Sequence, residues 1–66
     1  MGSMLSNHVR HYRHERLLTQ AELAQLVGVT HACVSKIERG QRAAGWRTRK
    51  RLALALQVPE AELFSS

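Results

Sequence analysis

Aspartate is absent from this 66-residue chain, and cysteine and proline each occur once. The lone cysteine, Cys33, excludes an intramolecular disulfide and suits a reducing compartment. No nucleophile–base constellation and no ligand cluster can be assembled from what remains, so the chain is not expected to be an enzyme or to carry a metal or cofactor. No apolar run approaches the length of a membrane span, and no signal-peptide h-region is present. There is no internal repeat and no low-complexity tract. A chain of this length makes one small domain that buries only about 60% of its unfolded surface, too little to wall an enclosed pocket besides a core. No small-molecule ligand is evident.

What is present is basic charge, and it is localised. Ten Lys and Arg oppose five Glu, giving +5. Lys36, Arg39, Arg42, Arg47, Arg49, Lys50 and Arg51 fall within residues 36–51, against Glu38 alone. That window is therefore +6 and the remainder −1. Such a local field is the footprint of a phosphate-binding surface; the bland alternative is a solvated charged face.

Beside this window, residues 20–39 read QAELAQLVGVTHACVSKIER. Leu23, Ala24, Leu26 and Val27 precede Gly28, and Val29, Val34 and Ile37 follow it. Apolar residues at helical spacing on both sides of a break predict two amphipathic helices, with Gly28 turning the first because glycine takes a left-handed conformation without steric cost. Thr19 to Glu22 forms a capping box, and Thr30 is a good N-cap for the second helix. Two short helices joined through a glycine, with the small Ala24 where they approach, form a helix-turn-helix unit.

Residues 5 to about 16 predict a first helix, with Leu5, Val9 and Tyr12 on one face and Leu17-Leu18 closing it onto the next. His8, His11 and His14 spread too widely for all three to reach one ion, so they are expected as surface residues. Gly40 to Gly45 is a loop. Residues 46–57 predict a fourth helix with Trp46, Leu52, Ala53 and Leu56 inward and Leu54 outward. Val58-Pro59 breaks it, and Pro59 starts a short fifth helix to Phe64. The expected fold is all-α, a compact five-helix bundle with a helix-turn-helix. Met1-Gly2-Ser3 ahead of a second Met4 reads as an expression scar, with residues 4–66 the domain; Gly2 and Ser6 also fit a myristoylation pattern, but the scar accounts for the same residues and is the preferred reading.

These residues resemble the phage repressor/Cro (Xre-type) helix-turn-helix family over nearly all of residues 4–64. The shared pattern is Val9-Arg10, Arg13, Leu18 to Ala24, Leu26 to Val29, Val34-Ser35, Ile37 to Gly40, Leu52-Ala53, Leu56, Val58 and Glu62 to Phe64. The resemblance implies a transcriptional regulator that binds double-stranded DNA sequence-specifically, as a homodimer on a palindromic operator, in the cytoplasm with the nucleoid. It places His31, Ala32, Ser35 and Lys36 against base edges in the major groove. It places Gln20, Arg39, Arg42, Trp46 and Arg47 near phosphates, and it makes Arg13 and Glu38 a structural ion pair.

The chain departs from that pattern in three places. Arg49 stands where relatives carry a core leucine, so it either lays its stem over the core edge or marks a repositioned helix. Ala44-Gly45 replaces a stronger helix start. Cys33 lies inside the recognition helix, where a thiol serves as a small apolar group or, less simply, as a redox switch. Leu54, Val58, Pro59, Leu63 and Phe64 can form a C-terminal apolar patch expected at a dimer interface; the alternative is that Leu63 and Phe64 simply cap the core. The alternative function is an antitoxin-like protein-interaction module that binds DNA secondarily.

Overall fold

The computed structural model of the chain describes residues 7–65, which form five α-helices and no strand among them. They are α1 (Val9–Glu15), α2 (Gln20–Val27), α3 (His31–Glu38), α4 (Trp46–Leu56) and α5 (Glu60–Leu63). The all-α, five-helix architecture expected from apolar spacing is thus present. Leu5, the scar at Met1-Gly2-Ser3 and the pattern at Gly2 and Ser6 lie outside the described residues.

Local chemistry sets the helix starts. The Asn7 side-chain oxygen accepts from the Val9 N–H at 3.0 Å, while its amide donates to the Ile37 carbonyl at 2.8 Å. One side chain therefore begins α1 and ties it to α3. At α2, Thr19 Oγ1 accepts from the Glu22 N–H at 3.0 Å, and Glu22 Oε1 accepts from the Thr19 N–H at 2.8 Å. These two bonds hold the Glu22 carboxyl below its ordinary range. Thr30 caps α3 by accepting from the Cys33 N–H at 3.1 Å. No side chain caps α4, whose first residue follows Gly45.

Four of the helices end alike. In each, an N–H returns to the carbonyl five residues earlier: Leu18 to Arg13, Val29 to Ala24, Gln41 to Lys36 and Val58 to Ala53, at 2.9–3.1 Å. Such a closure needs one residue in the left-handed region, and those residues are Leu17 (φ 56°), Gly28 (φ 80°), Gly40 (φ 72°) and Gln57 (φ 58°). Glycine occupies that region freely, whereas a side chain there costs about 1–2 kcal/mol. Gln57→Gly and Leu17→Gly are each expected to raise the unfolding free energy by about 0.5–1 kcal/mol. The readout is a higher urea midpoint at unchanged m-value.

The core is aliphatic: Val9, Leu23, Ala24, Val27, Val34, Ile37, Leu52, Leu56, Val58 and Leu63, with Cys33, are buried. It sits where α2 packs on α3 and α4, while α1 and α5 close its sides. Leu18 packs against this core, but Leu17 does not join it: the left-handed turn that closes α1 sends its side chain outward, 89% exposed. Trp46 also departs from expectation, at 66% exposed. At about 100° per residue it lies roughly 120° around the helix from Leu52, off the buried face. The residue on that face is Arg49, which is half-buried. Its Nε lies 3.2 Å from Glu60 Oε1 and its guanidinium 4.6 Å from the Phe64 ring centroid. The arginine stem thus covers the core edge while the head fastens α4 to α5. Leu54 points outward as expected, 78% exposed.

Candidate nucleic-acid interface

The two faces of α3 divide by helical period. Cys33, Val34 and Ile37 are buried, whereas His31, Ala32, Lys36 and Arg39 are exposed and Ser35 is half-buried. The four residues expected at base edges therefore share one outward stripe, continued by Arg39. Arg42 and Arg47 are exposed in the following loop and the first turn of α4. The Arg47 guanidinium lies 5.1 Å from the Trp46 ring centroid, which holds charge and indole together. No side chain caps α4, which leaves its first-turn amides without a capping acceptor at a helix start that favours an anion.

Arg13 and Glu38 are brought together. Arg13 Nε donates to Glu38 Oε2 at 2.6 Å and Nη2 to Oε1 at 3.1 Å, a bidentate pair with the glutamate side chain fully enclosed. Arg13 Nη1 also donates to the Leu18 carbonyl at 2.8 Å, and Arg10 Nε approaches Glu38 Oε1 at 3.5 Å. Burial pushes the Glu38 carboxyl up, but hydrogen bonds from Arg13, Gln20 and Arg10 and the Arg13 charge outweigh it and hold it below its ordinary range. A carboxyl lowered in the fold stabilises above its unfolded value, 4.5 here, and that stability is lost as pH falls through the folded value. Thermal stability should therefore decline below about pH 4.5, and Glu38→Gln should flatten part of that decline. Glu22, shifted in the same direction, retains the rest.

Gln20, expected near a phosphate, makes two contacts that sequence reasoning missed. Its amide nitrogen donates to Glu38 Oε1 at 2.9 Å and its oxygen meets His31 Nε2 at 2.8 Å. A relay thus runs from α1 through the buried carboxylate to the tip of α3. The signal for it is topological: a helix-turn-helix sets the starts of its two helices side by side, which spacing alone does not reveal. Sequence reasoning also missed the Tyr12 hydroxyl, which donates to Glu62 Oε1 at 3.0 Å and joins α1 to α5.

Of the residues expected at a dimer contact, Val58 and Leu63 are enclosed in the monomer core, because α5 folds back onto α4. Leu54 and Pro59 are exposed and Phe64 is half-buried under Arg49. His8, His11 and His14 are exposed, and no group of three metal-ligating side chains converges among the described residues. Nor is any helix among them long and apolar enough to cross a membrane.

The family model described as "Helix-turn-helix domain" matches residues 5–64. No curated protein sequence matches the chain. Among solved structures, the chain is similar to the restriction-modification controller protein C.AhdI from Aeromonas hydrophila, with 38% identity over 85% of each chain and a TM-score of 0.79. It is similar to the P22 c2 repressor protein in complex with a synthetic operator, with 26% identity over 98% of this chain and 97% of that one, at a TM-score of 0.87. It is also similar to SinR, the master regulator for biofilm formation, in complex with DNA: 26% identity, 86% and 92% covered, TM-score 0.77. The chain belongs to the helix-turn-helix domain family, in its repressor- and Cro-like branch.

Proposed function

We propose that the chain is a transcriptional regulator that binds double-stranded DNA sequence-specifically, by association and without catalysis. The observation that carries this reading is the exposed stripe of His31, Ala32, Lys36 and Arg39 on the second helix of the unit, flanked by exposed Arg42 and Arg47. The P22 c2 repressor is bound to a synthetic operator and SinR to DNA, which supports the same class of partner here.

In this reading α3 enters the major groove. Lys36 donates to guanine O6 or N7, Ser35 bonds a base edge, the Ala32 methyl meets a thymine methyl, and His31 reaches a further base. Arg39, Arg42, Arg47, the amides at Trp46 and the α2 start at Gln20 hold phosphates and fix the register. Two copies bind a palindromic operator with recognition helices about 34 Å apart. Leu54, Pro59 and the outer part of Phe64 are the expected dimer residues available at the surface. The setting is the cytoplasm, on the nucleoid.

Selection from random-sequence duplexes at two salt concentrations tests this. Enriched inverted repeats with half-sites about one turn apart are expected. Steep salt dependence with no enriched sequence would mean phosphate contact without readout. No binding at either salt overturns the regulator and favours the protein-interaction alternative, for which Leu26 and Leu54, 63% and 78% exposed, offer the first surface to probe.

A further inference from the structure

We infer that His31 reads DNA as a hydrogen-bond acceptor, through Nδ1, and so selects the exocyclic amine of adenine or cytosine. The inference rests on the regulator reading and specifies what one of its residues recognises. At the buried end of the relay, Glu38, ionised against Arg13, has only acceptor oxygens, so the group of Gln20 that meets it at 2.9 Å is the NH2. The carboxamide oxygen of Gln20 then faces His31 Nε2 at 2.8 Å, and an oxygen without a proton can only accept. Nε2 must therefore carry the hydrogen.

In a neutral imidazole one nitrogen donates and the other accepts. With Nε2–H committed to Gln20, Nδ1 is the acceptor, and it has no hydrogen-bond partner among the described residues. In the major groove adenine N6 and cytosine N4 are donors, whereas guanine presents N7 and O6 and thymine presents O4, all acceptors. The ring so held suits the first pair and repels the second. Gln20 is the positioning residue: it passes the polarity of a buried carboxylate to the exposed start of the recognition helix.

Two measurements test this, both at pH 8. Imidazole nitrogen NMR shifts of the free protein are expected to show His31 protonated at Nε2 and bare at Nδ1. The reverse tautomer overturns the inference without touching the regulator reading. On the selected operator, His31→Ala should lose preference at one base pair per half-site. There, purine for adenine or 2-pyrimidinone for cytosine, each lacking the amine, should weaken wild-type binding about fivefold and leave His31→Ala unaffected. Gln20→Leu, checked for an intact melting transition, should relax the same preference by freeing the tautomer. Equal binding of the amine-free analogues, or sensitivity instead to 7-deazaguanine at that pair, overturns the inference while operator binding stands. A wild-type protein that binds no duplex removes both.

Discussion

Arg13→Met is expected to lower the unfolding free energy by about 3–5 kcal/mol, because it leaves a carboxylate enclosed with its main counter-charge gone. A domain of this size holds roughly 3–10 kcal/mol in total, so the variant should stand at the edge of unfolding at room temperature. The Arg13 side chain is 9% exposed and that of Glu38 is fully enclosed, which removes the pair from the regime where solvent makes ion pairs nearly neutral. Glu38 keeps Gln20 and a long contact to Arg10, so the loss belongs at the lower end of the range. The double change Arg13→Met with Glu38→Leu should recover part of it, since two apolar side chains of similar volume leave no buried charge. Urea unfolding of the two single variants and the double one measures the coupling. A loss below about 1 kcal/mol in Arg13→Met would mean that water reaches the pair.

The second large effect is on binding. Arg39, Arg42 and Arg47 are three exposed arginines beside the proposed recognition stripe, six in the proposed two-fold complex. Neutralising six phosphates gives a log–log salt slope of about −5, so raising salt from about 50 to 200 mM should weaken operator binding roughly 10³-fold. Arg47→Ala removes one contact from each protomer and should flatten the slope by about 2, while weakening matched and mismatched duplexes alike. Lys36→Ala should behave differently, costing most on the selected site and relaxing preference at one base pair. Fluorescence anisotropy across a salt series separates the two. An unchanged slope in Arg47→Ala would take that arginine off the phosphate path.

The sequence made the helix-turn-helix legible because each of its constraints is local: a capping box at Thr19 and Glu22, a glycine at the turn, apolar positions at helical spacing. The recognition stripe follows from the same period, since Val34 and Ile37 inside force Ala32 and Lys36 outside. What escaped depended on partners far along the chain. Trp46 looked like core by residue type, but the helix phase set by Leu52 and Leu56 turns it to solvent and puts Arg49 on the inner face. Leu17 looked like a staple because its left-handed backbone is invisible in its identity. Val58 and Leu63 were expected at a dimer contact, with core capping the alternative for Leu63, and the fold of α5 over α4 buries both. The Gln20 relay joins residues 11 and 18 positions apart, so no motif announces it.

The relay also divides the recognition helix into free and bound letters. No hydrogen bond or ion pair among the described residues engages the side chains of Lys36 or Arg39, and Ala32 is exposed. In the proposed reading those three positions can change, and with them the operator, with little consequence for folding. Position 31 does not share that freedom. A newcomer there meets Gln20, and through it a carboxylate that the fold depends on, so in the proposed reading a change at 31 also alters what Gln20 pairs with.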